Sequence, residues 1–193
     1  MKRIIFASKN EGKVKEVRKI LSDLNVQILS LSDVDYTIEI EETGKTFVEN
    51  AKLKASVIFK EYKLPVIADD SGLVVEQLDD EPGVFSARYA GLGATDEQNN
   101  LKLLKNLEKY PPPYKAKFVC AAVFYFGTDF FASIGEVIGE IIKIPRGTNG
   151  FGYDPLFVPD GFNQTMAELD SEIKNRISHR FKAFDQLKKH IME

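Results

Sequence analysis

Two acids in succession, Asp69 and Asp70, follow a short apolar run at 65–68 and precede Ser71 and Gly72. Side chains alternate faces along a strand, so only one of the pair can point into a given cleft, and the other supports it. A carboxylate next to such a turn is placed to hold a hard divalent cation or to take a proton from water. The competing reading is that both acids simply cap the turn. Glu39, Glu41 and Glu42 add a second acidic cluster. It is either a solvated edge or a source of further oxygen ligands for magnesium, an ion commonly shared with substrate phosphates.

Cationic and glycine-rich segments supply the complementary chemistry. Ser8, Lys9, Asn10, Glu11, Gly12 and Lys13 lie between an apolar run and an amphipathic stretch, where backbone N–H groups and a helix dipole favour phosphate. An ordinary turn with a solvated lysine fits the same residues, and the spacing is not that of a Walker A loop. Gly147, Gly150 and Gly152 surround Phe151 and Tyr153 ahead of Asp154 and Pro155. Such a segment packs poorly in a core and suits a close-fitting ligand loop, with Phe151 able to stack on a base; a structural Ω-loop is the alternative. Lys174, Arg176, His179 and Arg180 gather near Ser178, a helix-start signal where the dipole disfavours cations unless an anion or acceptor is bound. His179 and Arg180 also offer donors to the O6 and N7 acceptors of a purine.

The elements that must position these residues read as follows. Residues 4–7 form a buried strand, and Val14, Val17, Leu21 and Leu24 mark the helix after it. Strands are expected at 27–31 and 37–41, and a helix from Thr46, with its capping partner Glu49, to Tyr62. Residues 65–70 and 73–78 read as two strands broken at Gly72 and joined by a hairpin or crossover. Thr95 and Gln98 repeat the capping box and open a helix to about Tyr110, which Pro111, Pro112 and Pro113 end at the best internal boundary. Antiparallel strands are expected at 118–126 and 130–144, a helix from Thr165, and a last helix capped by Ser178 whose apolar face is Phe181, Phe184, Leu187 and Ile191. The expected architecture is α/β: a mixed, twisted β-sheet flanked by helices, in two lobes with a substrate cleft between them, within a single domain over 1–193.

Composition excludes several classes. A net charge of −3 argues against a general nucleic-acid coat. The apolar share of 44 % is enough for a core without disulfides. The lone cysteine, Cys120, lies in an apolar run and reads as a small buried side chain, with a reducing cytoplasm as its natural home. The apolar run at 4–7 is too short for a signal peptide, and no stretch reaches the roughly 20 residues of a membrane helix. Glu41, Glu42, Thr43 and Gly44 lack the preceding helix of a Nudix box, and that assignment is rejected.

Five segments in order, EETGKTFVENAKLKA, ADDSGL, PGVFSARYAG, GTNGFGYDPLF and NRISHRFKA, resemble the inosine/xanthosine triphosphate pyrophosphatase family over nearly the whole chain. The resemblance implies magnesium-dependent hydrolysis of deaminated purine nucleoside triphosphates (ITP, dITP, XTP) to the monophosphate and pyrophosphate, and a homodimer. It implies a phosphate-binding loop over Ser8, Lys9, Asn10, Glu11, Gly12 and Lys13. Asp70 would be proton acceptor and metal ligand, Glu42 a further ligand, and Ser71 a neighbour of the substrate. Lys54, Arg88 and Lys174 would meet phosphates or sugar, while Phe151, Gly152, Tyr153, Asp154, His179 and Arg180 would hold the base. Lys9 departs from the family's common pattern, in which Thr is followed by a small residue or Asn. Whether Glu41 or Glu42 faces the metal stays open at this stage, and rejection of GTP rests on the resemblance alone. The rival readings are a phosphatase releasing inorganic phosphate, a pyrophosphatase for modified pyrimidine nucleotides, and a nucleotide-sensing or RNA-binding module without turnover.

Overall fold

The computed structural model describes residues 2–38 and 40–192. Six strands form one sheet in the order β2-β1-β3-β4-β5-β6. They are β1 (Lys2–Phe6), β2 (Val26–Ser30), β3 (Val66–Val75), β4 (Tyr114–Tyr125), β5 (Phe130–Ile141) and β6 (Phe157–Pro159). β1 runs parallel to β2 and β3, whereas β5 and β6 are antiparallel, so the sheet is mixed as expected. The helices are α1 (Glu11–Ile20), α2 (Phe47–Tyr62), α3 (Asp96–Leu107), α4 (Ser171–Ile177) and α5 (His179–Met192).

The chain divides into two compact units, each built from separated segments. The first comprises Met1–Asp70, Cys120–Gly135 and His179–Glu193; the second comprises Ser71–Val119 and Glu136–Ser178. In the first unit, β1 is buried on both faces, and its alternation sorts the core into two layers. Ile4 and Phe6 join Ile67, Cys120, Val14, Val17, Phe184 and Leu187, and so face α1 and α5. Ile5 and Ala7 join Val66, Ala68, Ala51, Ala55 and Ile58, and so face α2. The second unit packs Leu103 and Leu107 of α3 with Leu73, Tyr114, Phe118, Val137, Tyr153, Phe157 and Met166.

Sequence signals and structure agree closely where caps are present. Thr46 and Glu49 form a complete capping box, and α2 ends at Tyr62. Thr95 and Gln98 form another at the start of α3. Elsewhere the structure corrects the reading. The two strands read at 65–70 and 73–78 are one, β3, buried along nearly its whole length. Gly72 therefore continues the strand, and Asp69 and Asp70 lie at its middle. No strand forms at Thr37, Ile38, Ile40 or Glu41. Ile38 is exposed there, and the Tyr36 N–H instead closes a turn on the Leu31 carbonyl. Glu39 lies outside the described residues. Thr165 and Glu168 close a single turn that does not continue as a helix: the amides of Met166 and Ala167 bond to the carbonyls of Phe157 and Asp154, and the chain leaves the helical region at Asp170, with ψ 143°. Asp170 caps α4 instead. The proline run at 111–113 links α3 to β4 inside the second unit and so marks no boundary.

Candidate active site

The acids at the middle of β3 are distributed by strand alternation. Asp69 shares its face with Ile67, which looks toward α1 and α5, and Asp70 shares its face with Val66 and Ala68, which look toward α2. Asp69, 1 % exposed, accepts Lys13 Nζ at 3.0 Å and Arg180 Nε at 3.3 Å, both on Oδ2, and Cys120 Sγ lies 3.9 Å from the same oxygen. Arg180 is itself buried and gives Nη1 to Glu16 Oε2 at 2.5 Å. Burial opposes the guanidinium charge, but Asp69 and Glu16 outweigh it and hold the pKa above its ordinary value.

Asp70 meets α2. Asn50 Nδ2 donates to Asp70 Oδ2 at 2.9 Å, while the Asn50 side-chain oxygen accepts the Gly44 N–H at 2.7 Å. The amide of Asn50 thereby ties the segment carrying Glu42 to the strand carrying Asp70. Lys54, one helical turn after Asn50, donates to Glu42 Oε1 at 2.6 Å and stands 4.0 Å from Asp70 Oδ1. Burial pushes the Asp70 pKa up and Lys54 pulls it down; Glu42 raises it further, Lys13 and Asn50 lower it, and the net lies above the ordinary carboxylate value. For Lys54, burial is outweighed by the charges of Asp70, Glu42 and Asp69 and by the bond to Glu42, so its pKa is raised.

Glu41 is exposed, whereas Glu42 is half-buried against Lys54, so Glu42 is the acid of that cluster beside Asp70. Among the described residues no group of three or more histidine, cysteine or carboxylate side chains gathers as a metal cage. Magnesium is bound typically by one or two carboxylates, with waters and substrate phosphates completing its shell. Glu42 and Asp70 fit that donor set. Burial, and after it the charge of Glu42, raises the Asp70 pKa, and both effects are of the kind that a bound cation offsets.

The first loop is set by its own short bonds. Ser8 Oγ accepts the Asn10 N–H at 3.2 Å, and Asn10 Oδ1 caps α1 by accepting the Lys13 N–H at 3.1 Å. Lys9 turns away along the chain, donating to the Thr37 carbonyl at 3.3 Å. Glu11 and Gly12 form the first turn of α1. Farther along, Gly135 of β5 lies so close to the start of α5 that a Cβ there would overlap the His179 carbonyl and the Ala183 amide. Ser133 Oγ donates to the Ala183 carbonyl at 2.7 Å. β5 thus seats the helix turn that presents His179 and Arg180.

In the second unit the glycine-rich segment is closed on Asp154. Its Oδ2 accepts the Phe151 N–H at 2.9 Å and Lys174 Nζ at 2.7 Å, and Lys174 lies 5.3 Å from the Phe151 ring centroid. Gly150 has φ +82°, and a Cβ on it would overlap the Asp154 carboxylate. Tyr153 donates its hydroxyl to the Ser86 carbonyl at 2.8 Å, and burial keeps that phenol protonated well above the ordinary range. Arg88 stacks over Phe85, 5.3 Å from its ring centroid, and Ser71 begins the part of β3 that belongs to this unit.

The structure therefore brings together Lys13, Asp69 and Arg180, then Glu42, Lys54 and Asp70, and then Phe151, Asp154 and Lys174. Glu16 and Asn50 join these groups, and Asp96 accepts the Gly152 N–H at 2.6 Å; none of the three was singled out from the sequence. Asn50 precedes Lys54 by four residues and Glu16 follows Lys13 by three, spacings that place each pair on one helix face.

A mixed α/β sheet, adjacent carboxylates on its central strand and lysines held against them define the class of protein: an α/β fold with its charged groups gathered on a central strand. The particular lineage follows from comparison. A model of the Ham1 family matches residues 4–190, and the chain belongs to that family. It is 50 % identical to the dITP/XTP pyrophosphatase of Listeria monocytogenes, covering 100 % of this chain and 96 % of that one. It is 46 % identical to the dITP/XTP pyrophosphatase of Aquifex aeolicus, covering 96 % and 94 % respectively. The solved structure of a HAM1 protein from Coxiella burnetii superposes with a TM-score of 0.91 at 42 % identity, over 99 % of this chain and 98 % of that one.

Proposed function

We propose that this protein is a magnesium-dependent pyrophosphatase that converts ITP, dITP and XTP to the monophosphate and pyrophosphate, clearing deaminated purines from the nucleotide pool. The observation that carries this reading is full-length likeness, at half identity, to proteins named dITP/XTP pyrophosphatases. The grouping of Glu42, Lys54 and Asp70 supplies the chemistry such a reaction needs.

Asp70 accepts a proton from a water that attacks the α-phosphorus; the new P–O bond forms as the bond to the bridging oxygen breaks, and pyrophosphate leaves with that oxygen. Its raised pKa makes it a better proton acceptor than a solvated carboxylate. Glu42 and Asp70 would hold magnesium, which when bound neutralises phosphate charge. Lys13, Lys54, Lys174 and Arg88 bind phosphates or sugar, together with the capped start of α1 over residues 8–13. Ser71 lies beside the substrate.

His179 and Arg180, with Phe151, Gly152, Tyr153 and Asp154, take the base. A 6-keto group accepts from His179 and Arg180, whereas the adenine amino group leaves those donors unpaired at about 1–3 kcal/mol each, or roughly a hundredfold or more for two. Asp69 and Glu16 fix the guanidinium for that task. We place the protein in the cytoplasm as a homodimer. In support of the dimer, the stacked rings of Phe126 and Phe131 leave Phe126 exposed; no helix among the described residues is long and apolar enough to cross a membrane.

The test is incubation with ITP, XTP, GTP and ATP, with and without magnesium, followed by separation of the products. Magnesium-dependent IMP and pyrophosphate from ITP, with ATP nearly untouched, is the expected result. Inorganic phosphate as the product, or bound ITP without turnover, refutes the proposal and favours a phosphatase or a sensing module.

A further inference from the structure

We infer that Asp96 and Asn100 of α3 are positioning residues that hold the tip of the base loop and so set how tightly the purine end of the nucleotide is bound. The inference rests on the assignment of Phe151, Gly152, Tyr153 and Asp154 to the base. Gly152, at φ +61°, is gripped on both backbone groups by α3. Its N–H donates to Asp96 Oδ2 at 2.6 Å, and its carbonyl accepts Asn100 Nδ2 at 3.1 Å. The two side chains are four residues apart and share a helix face.

Local helix needs do not explain this grip. The start of α3 is already capped by Thr95 and Gln98, so the Asp96 carboxylate is not required as a cap. A Cβ on Gly152 would meet nothing within 4 Å, so no side-chain contact on that side crowds the tip into place. Phe151 and Tyr153 are fixed through Asp154 and Ser86, but the turn between them depends on α3. The adjacent residue Asn99 performs the same service for the Arg88 segment: it donates to the Ala87 carbonyl at 3.2 Å and accepts the Ala90 N–H at 2.8 Å. Lys102 donates to the Tyr89 carbonyl at 2.5 Å. One polar helix thus shapes two substrate-bearing segments of the second unit, and an aspartate at its first position acts on the loop as well as on the helix dipole.

Asp96→Ala and Asp96→Asn separate these roles, since both remove the charge and only Asn keeps an oxygen that can accept from Gly152. For Asp96→Ala we expect KM for ITP to rise about tenfold, ~1.4 kcal/mol, with kcat within about twofold, and faster amide hydrogen exchange in the peptide covering 150–154. Asp96→Asn should remain close to the parent in both readouts, and Asn100→Ala should reproduce a smaller rise in KM with the same exchange signature. An unchanged KM in Asp96→Ala overturns the inference, as does equal damage in Asp96→Asn. If Asp96→Ala fails to fold, Asn100→Ala decides by the same two readouts. Should the parent protein release no IMP, the functional reading fails by itself, and unchanged exchange at 150–154 in the variants would then separately refute the grip.

Discussion

Asp70 is buried beside Lys54, Glu42 and Asn50, and its carboxylate is costly to keep charged. Asp70→Asn should therefore fold as well as the parent, since Asn50 retains an oxygen partner and Lys54 retains Glu42. Turnover should fall by about 10² to 10⁴, the usual contribution of a positioned proton acceptor. Steady-state kcat alongside a melting curve checks both halves, and unchanged turnover removes Asp70 from its role. The adjacent acids, the Thr46 and Thr95 caps and the glycines around Phe151 were legible in the sequence, because strand alternation, capping and positive φ impose residue types locally. Glu16 and Asp96 were not. On a helix face they look like any solvated acid, and their partners Arg180 and Gly152 lie 164 and 56 positions away.

The contact between β5 and α5 shows how an element can be fixed by a missing side chain. On strand propensity alone Gly135→Ala should stabilise, by about 0.5–1 kcal/mol. Its Cβ instead meets the backbone of His179 and Ala183, and overpacking of that kind costs about 1–3 kcal/mol. We expect a net loss, read as a melting temperature lowered by several degrees in calorimetry; a rise would mean that the first turn of α5 is not seated on β5. The start of α2 could be read from its capping box, and the course of α5 from its apolar stripe. The strand read at 37–41 and the helix read at Thr165 failed for different reasons. Before 37–41 the Tyr36 N–H closes a local turn on the Leu31 carbonyl, whereas the amides after Thr165 bond to the carbonyls of Phe157 and Asp154, partners that no local pattern announces.

The whole molecule is two compact units whose segments alternate along the chain, an arrangement set by strand order and invisible to composition. Sequence pattern gave α/β and a mixed sheet, but the break at Asp70 and the return at Cys120 depend on contacts between residues far apart. Most of the cations assigned to phosphate or sugar share a further property: Lys13 is paired with Asp69, Lys54 with Glu42 and Lys174 with Asp154, while Lys9 meets the Thr37 carbonyl and Arg88 the Phe85 ring. A polyanion approaching a protein of net charge −3 therefore meets three lysines whose fields are already largely cancelled. Long-range steering should be weak, and raising salt from about 50 to about 200 mM, which shortens the screening length, should leave kcat/KM within about twofold or raise it slightly. A steep fall would mean that some of these cations stand open. Capture of substrate is then an exchange of partners at contact distance, so selectivity is decided after encounter and not by the rate of arrival.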